Sequence, residues 1–181
     1  RFASQVSLSD CTGFLVAKDL LVTAGHCITD PNDTVKNKSN YYCRDNEWLF
    51  NYDVDKNGKF NLDDISAKNV YKCKKVVYAT LNDQDDFAII QLDREVSGVK
   101  PLKIRKSGRI KTKADIFVIG HPSGMPKKFA DGAQVRMNKR RQYFSTNLDT
   151  FGGSSGSPVF NAKTLVVEGI LVRGKTDYID S

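Results

Sequence analysis

Three short stretches of this 181-residue chain carry side chains suited to nucleophilic catalysis. In the first, the apolar run Leu20–Val22 leads through small residues to His26. A histidine at the end of a buried strand can act as a general base, because the scaffold holds the ring while a cleft exposes it. The same pattern also fits a histidine with a purely structural role.

The second stretch places Asp86 directly before the apolar run 87–92. A carboxylate beside an imidazole fixes the productive tautomer of the ring and stabilises the imidazolium that forms during catalysis. A turn aspartate at the start of a strand is the alternative interpretation.

The third stretch surrounds Ser155 with Gly152, Gly153 and Gly156. Glycines allow a sharp turn that brings backbone N–H groups close to a bound carbonyl. We predict that the N–H groups of Gly153 and Ser155 form an oxyanion hole, which stabilises the negative oxygen of an acyl-transfer transition state. A flexible Gly/Ser linker has a similar composition, but here an apolar strand follows at once.

The elements that position these residues are short β-rich runs separated by turn residues, and long segments with a 3.6-residue apolar period are absent. This pattern predicts an all-β protein. A polar stretch near residues 95–106 divides the chain into two predicted domains, residues 1–97 and 98–181. Strands are predicted at residues 13–17, 20–24, 48–52, 70–78, 87–92, 116–119, 159–160 and 165–172.

The order histidine, aspartate, serine is that of the chymotrypsin arrangement. The motifs Thr23–Cys27 (TAGHC), 86–89 (DFAI) and 153–158 (GSSGSP) resemble those of the trypsin/chymotrypsin superfamily, especially its bacterial branch with the glutamyl endopeptidases. The resemblance implies two antiparallel six-stranded β-barrels with the active site in the cleft between them. It also implies a serine endopeptidase that works through an acyl-enzyme. The implied catalytic triad is His26, Asp86 and Ser155.

Four cysteines without the spacing of a metal site favour two disulfides over four free thiols. The resemblance implies that Cys11 pairs with Cys27 and holds the histidine loop, which leaves Cys43 and Cys73 as the second pair. Disulfides predict an oxidising compartment, so we expect a secreted or periplasmic protein.

Two features depart from the resembled family. Trypsin-like zymogens are activated when a new N-terminus pairs with an aspartate just before the nucleophile, but here that residue is Ser154. We therefore expect other contacts to order the oxyanion loop. The chain also ends soon after Gly174, so we expect either an incomplete second barrel or a substrate pocket that is completed in another way.

The predicted substrate-binding residues are Asp149, Thr150, Arg173 and Gly174. An aspartate six residues before the nucleophile binds lysine or arginine side chains in trypsin-like relatives, so Asp149 predicts cleavage after Lys or Arg. A turn aspartate is the alternative. Glutamyl relatives use a histidine on the strand after the nucleophile, which is missing here, although Arg173 offers another cation for a carboxylate.

An acidic segment around Asn57-Gly58 fits much of a calcium-binding loop, because oxygen ligands alternate along it and a glycine permits the turn. An acidic hairpin turn explains the pattern equally well. Catalysis itself requires no cofactor. The candidate ligands of a structural Ca²⁺ are Asp53, Asp55, Asn57, Lys59 and Asp64.

The net charge of +7 comes partly from basic clusters in Lys100–Lys113 and Arg136–Arg141. Neither cluster accompanies a nucleic-acid-binding motif, which favours a solvated basic face. We expect a polypeptide substrate, no nucleic-acid or membrane partner, and a monomer. The competing function is that of an inactive protease homologue that acts as a binding module. His121 is expected to pack or cap a loop.

Overall fold

Ten strands make up the fold in the residues that the structure describes. The computed structural model describes residues 5–29, 43 and 45–174, and for Asp64 it describes the backbone alone. No helix within this described part is long and apolar enough to cross a bilayer. The strands are β1 (Phe14–Leu15), β2 (Leu20–Thr23), β3 (Glu47–Leu49), β4 (Val70–Leu81), β5 (Asp86–Leu92), β6 (Asp115–Gly120), β7 (Lys128–Met137), β8 (Ser145–Thr146), β9 (Pro158–Asn161) and β10 (Val167–Ile170).

These strands form two curled antiparallel sheets. The first has the order β1-β2-β5-β4-β3 and the second the order β10-β9-β6-β7-β8. The predicted all-β fold with two barrels is confirmed, with five strands per sheet in the described residues instead of the six implied by the resemblance. The mostly exposed stretch 98–113 forms no strand and contributes one isolated β-bridge, between Ile104 and Val167.

Each sheet buries one face, and a third apolar cluster joins the two sheets. In the first sheet, Ala88 and Ile90 are completely buried on alternate positions of β5. Between the sheets, Phe14 of β1 belongs to the same cluster as Phe160 of β9. The ring of Phe160 stacks on Phe117 with centroids 4.8 Å apart. This shared core holds the sheets together, so the segments at their junction have a defined geometry.

The sequence predicted eight of the strands and missed β7 and β8. In β7 the pairing with β6 shifts register between Ile116 and Val118, opposite Asp131 and Gly132. Gly132 has a φ of +72°, a backbone conformation that favours glycine. Such a β-bulge interrupts the two-residue alternation on which strand prediction depends.

Both disulfides have the pairing that the resemblance implied. Cys11 is bonded to Cys27, and Cys43 is bonded to Cys73. The alternative of four free thiols is therefore wrong. The first bridge ties the segment before β1 to the residue that follows His26.

His121 packs a loop, as expected. Its ring stacks on Tyr52 with centroids 5.3 Å apart, and its Nδ1 lies 3.0 Å from the carbonyl oxygen of Met125. The Tyr52 hydroxyl lies within hydrogen-bond distance of the carbonyl oxygens of Val6 and Gly124 and can donate to either. Burial lowers the pKa of His121 below its ordinary value.

Replacing His121 by Phe tests this burial. Because the pKa of His121 is lower in the folded state, the unfolded chain takes up the proton first. Stability is therefore complete above about pH 6.5 and decreases as the pH falls below that value. Phe keeps an aromatic ring against Tyr52 but cannot be protonated. We expect thermal unfolding midpoints at about pH 7 and about pH 5 to differ by a few degrees less in His121→Phe than in the wild type. Equal differences would contradict the burial of a neutral ring.

Candidate active site

The pairing of β2 with β5 brings His26 and Asp86 together. Thr23 of β2 lies opposite Ala88 of β5. The last residue of β2 and the first residues of β5 therefore meet at the same end of the sheet. His26 follows β2 in a 3₁₀ turn, Gly25–Cys27, and Asp86 is the first residue of β5.

Asp86 holds His26 through two hydrogen bonds. The ring Nδ1 of His26 lies 2.9 Å from Asp86 Oδ2, and the backbone N–H of His26 donates to Asp86 Oδ1 at 3.0 Å. The Asp86 side chain is only 5% exposed, whereas that of His26 is 33% exposed. The ring is therefore anchored through Nδ1, and the His26 side chain is partly exposed to solvent.

The environment of Asp86 favours the carboxylate. Burial by itself raises the pKa of Asp86, but hydrogen bonds from the ring and backbone of His26, the charge of His26 and a bond from the Gly25 backbone together hold this pKa below its ordinary value. An ionised carboxylate only accepts hydrogen bonds, so Nδ1 carries the hydrogen. In the neutral form of the ring, Nε2 of His26 then has a lone pair with which it can accept a proton.

Gly25 allows the histidine turn to lie directly on β4. A Cβ atom at Gly25 would stand 2.0 Å from the carbonyl oxygen of Thr80. Any side chain there would push the turn, and His26 with it, away from the sheet.

Ser155 lies in a tight loop that follows Phe151. The Ser154 N–H donates to the Phe151 carbonyl at 3.1 Å, and the Ser157 N–H donates to the Ser154 carbonyl at 3.0 Å. Gly153 has a φ of +85°, and a Cβ atom there would stand 2.7 Å from the backbone of His121 and Gly124.

The N–H groups of Gly153 and Ser155 are available to a ligand. The carbonyl of each peptide group that contains them is already bonded: Gly152 accepts from the Ser123 N–H at 2.5 Å, and Ser154 accepts from Ser157. In a trans peptide the N–H points opposite to the carbonyl, so both N–H groups point away from these donors. Within the described residues neither N–H donates to a protein acceptor.

The backbone of Ser155 lies beside the histidine turn. Its carbonyl oxygen accepts a hydrogen bond from the Thr12 N–H at 2.7 Å and lies 4.0 Å from the Cys27 sulfur. The second sheet thus presents the serine loop to the part of the first sheet that holds His26.

A small open cavity adjoins Ser155. Of the predicted substrate-binding residues, Thr150, Arg173 and Gly174 line it, whereas Asp149 is exposed and lies outside the lining. Arg173 is the one charged residue of the lining, and its Nη2 donates to the carbonyl oxygens of Asn82 and Asp83 at 3.3 and 3.4 Å. The complete lining is Thr150, Phe151, Gly152, Ser155, Leu171, Val172, Arg173 and Gly174.

The acidic segment considered for calcium folds as a turn that uses its own oxygens. Asp55 accepts hydrogen bonds from the N–H groups of Asn57 and Lys59, both at 2.8 Å. Asp53 pairs with Lys127 at 2.6 Å. These bonds form a turn, but no strand of the described residues begins or ends beside it, so the segment is not a β-hairpin. The side chain of Asp64 lies outside the described part of the chain, and a calcium site here stays a prediction.

One other group of potential metal ligands converges among the described residues. It consists of Cys11, His26 and Cys27. The two sulfurs form a disulfide, so they are not thiolate ligands.

Comparison with known proteins decides the family. The model of the trypsin-like peptidase domain matches residues 11–170. The chain belongs to the trypsin-like peptidase family. The match includes the histidine turn, Asp86 and the serine loop of this peptidase domain.

Solved structures agree on the fold. A Glu endopeptidase in complex with MPD is 19% identical, with a TM-score of 0.63, and the match covers 93% of this chain and 76% of that one. The protein Deg5 is also 19% identical, with a TM-score of 0.59 and coverage of 94% and 77%. A serine endoprotease from Yersinia pestis is 14% identical, with a TM-score of 0.59 and coverage of 95% and 50%.

A curated relative is much longer than this trypsin-like domain. It is "Secreted RxLR effector protein 73" of Plasmopara viticola, 27% identical over 165 residues. The match covers 83% of this chain but only 38% of the relative's length.

Replacing Asp86 by Asn tests the stabilisation of the carboxylate. Because the pKa of Asp86 is lower in the folded state, the charge stabilises the native protein at neutral pH, and this contribution is lost as the pH falls through the folded-state pKa. We expect Asp86→Asn to be about 1–3 kcal/mol less stable at neutral pH, since a charged acceptor of two hydrogen bonds is lost. The difference should shrink in denaturation curves measured near pH 3. Asp85→Asn, at the exposed neighbouring position, is the control and should show no such pH-dependent difference.

Proposed function

We propose that this trypsin-like peptidase is a serine endopeptidase with His26, Asp86 and Ser155 as its catalytic triad. The observation that carries the proposal is the doubly hydrogen-bonded His26–Asp86 pair, which engages Nδ1 and the backbone N–H of His26 and leaves Nε2 without a hydrogen bond in the described residues. The serine loop, with two N–H groups unused within the described residues, lies beside the same turn.

In this mechanism the Ser155 hydroxyl attacks the carbonyl carbon of a peptide bond while His26 Nε2 accepts the hydroxyl proton. Asp86 stabilises the imidazolium that results. The imidazolium then gives the proton to the leaving amine, which produces an acyl-enzyme. A water molecule, deprotonated by the same histidine, releases the acid and restores Ser155. No cofactor enters these steps.

The N–H groups of Gly153 and Ser155 are proposed to bind the oxyanion of each tetrahedral intermediate. Donors fixed before the reaction need no reorganisation when the charge develops, and loss of one such donor typically costs about 3 kcal/mol. The carbonyls of the same two peptide groups, those of Gly152 and Ser154, accept hydrogen bonds from Ser123 and Ser157. These bonds support a loop that is preorganised to bind the oxyanion.

For the substrate, we propose a preference for an acidic residue on the acyl side of the cleaved bond. Arg173 contributes the one charged side chain of the cavity lining beside Ser155, and a guanidinium pairs well with a carboxylate. Cleavage after Lys or Arg is the second candidate, because Asp149 has the sequence offset expected of a basic pocket. The position of Asp149 outside the cavity lining argues against it.

We further propose that the protein is secreted and acts on polypeptides as a monomer. Two disulfides are typical of an oxidising compartment, and the curated relative is named as a secreted effector. All of the proposed catalytic groups come from one chain, so the site needs no second copy.

Labelling with a fluorophosphonate tests the catalytic serine. We expect the folded wild type to be labelled and Ser155→Ala to lose labelling completely, because the reagent requires an activated hydroxyl. Ser154→Ala removes the neighbouring buried serine hydroxyl and should keep labelling. A folded wild type that is not labelled would favour the inactive homologue that acts as a binding module.

Digestion of a peptide library tests the substrate preference. We expect cuts mainly after Glu or Asp, and Arg173→Gln should lower kcat/KM for a Glu substrate by about 10–100-fold, since a charge-assisted pair is lost. The matched substrate with Gln in place of Glu should be affected much less, which separates charge recognition from a general disturbance of the site. Cuts after Lys or Arg that disappear in Asp149→Asn would instead establish the basic preference.

A further inference from the structure

The serine loop is held by its carbonyl groups. The carbonyls of four successive residues, 152–155, each accept a hydrogen bond from a different direction. Their donors are the Ser123 N–H for Gly152, the Thr12 hydroxyl for Gly153, the Ser157 N–H for Ser154 and the Thr12 N–H for Ser155. One residue of the first half of the chain, Thr12, thus supplies two of the four donors.

Thr12 is built into the junction between the sheets. It is only 5% exposed, and all three of its polar atoms are engaged. Its hydroxyl donates to the Gly153 carbonyl and accepts from the His121 N–H, both at 3.1 Å. Its N–H donates to the Ser155 carbonyl at 2.7 Å, and its carbonyl accepts from the Thr23 hydroxyl at 2.7 Å.

These bonds restrain a loop whose own side chains do little to fix its conformation. The segment 152–156 contains only glycine and serine, so no charged side chain within it can form an ion pair. Gly153 and Gly156 both have positive φ angles and no Cβ atom, which leaves their backbone free to adopt many conformations. A rotation of the peptide group after Gly153 would leave the buried Thr12 hydroxyl without its acceptor, and this loss opposes the rotation.

The same segment also reaches the general base. Cys11, next to Thr12, is bonded to Cys27, which follows His26. The dipeptide 11–12 therefore fixes the histidine turn through a covalent bond and the serine loop through hydrogen bonds.

We propose that Thr12 is a positioning residue that holds the oxyanion loop in its catalytic conformation through its side-chain hydroxyl. The proposal rests on the serine-peptidase function proposed above. Thr12 acts on the reaction through Gly153, whose carbonyl it binds and whose N–H is a proposed oxyanion donor.

The test compares Thr12→Val, Thr12→Ser and Thr23→Val. Valine keeps the shape and the backbone bonds of Thr12 and removes only the hydroxyl, whereas serine keeps the hydroxyl. We expect Thr12→Val to lower kcat about 10–100-fold with KM within about threefold, because a misplaced donor weakens transition-state binding more than substrate binding. Thr12→Ser should restore kcat to within about threefold of the wild type.

Thr23→Val is the matched control. It also removes a buried threonine hydroxyl, but that hydroxyl bonds the Thr12 carbonyl and not a carbonyl of the serine loop. We expect a smaller decrease in melting temperature than in Thr12→Val, since one hydrogen bond is lost instead of two, with kcat within about threefold of the wild type. An unchanged kcat in Thr12→Val, or equal decreases of kcat in the two valine variants, would overturn the positioning role.

Amide hydrogen exchange separates this proposal from the proposed function. We expect the hydrogen-bonded amides of Ser154, Gly156 and Ser157 to exchange at least about tenfold faster in Thr12→Val than in Thr23→Val, because only the former loses a bond to the loop. Equal exchange in both variants would contradict the role of Thr12. Hydrogen exchange does not depend on turnover. It therefore tests whether Thr12 restrains the loop even if the wild type is neither labelled nor active and the peptidase mechanism is refuted.

Discussion

The antiparallel pairing of β2 and β5 is the constraint on which the proposed site depends. It brings the turn after β2 and the first residue of β5 to the same end of the sheet, where Asp86 accepts two hydrogen bonds from His26. Side chains alternate between the two faces of a sheet. A shift of the pairing register by one residue would therefore move every side chain of the shifted strand to the opposite face. The buried positions Ala88 and Ile90 oppose that shift. The geometry of the proposed acid–base pair is therefore a consequence of core packing.

The second half of the site is organised differently, by the satisfaction of backbone groups. The loop around Ser155 contains no charged and no bulky side chain, so its conformation is set by which donors its carbonyls meet. Those donors come from the turn after His121, from the loop itself and from Thr12. Since the apolar cluster of Phe14 and Phe160 fixes the two sheets against each other, these donors are in place before any substrate binds.

The predicted substrate-binding residues differ in where the fold places them. Asp149 has the right distance in sequence from Ser155, but the structure leaves it exposed and lines the cavity with Thr150 and Arg173 instead. A strand has a two-residue period that assigns each side chain to a face, whereas an irregular loop has no such period. The acidic turn is similar, because the partner of Asp53 is Lys127, far along the chain, and no local pattern indicates it.

The sequence by itself determined the all-β class, eight of the strands and the motifs around His26, Asp86 and Ser155, because each depends on residues that are close in the chain. The resemblance carried by those motifs also implied the two disulfides. Only the tertiary structure decided the bulged strand β7, the exposure of Asp149 and the contacts of Thr12. Thr12 and Gly153 meet because two sheets pack together, and a threonine before a short strand carries no local signal of that contact. Contacts between distant segments follow from the packing of the whole chain, which periodicity and motif spacing do not encode.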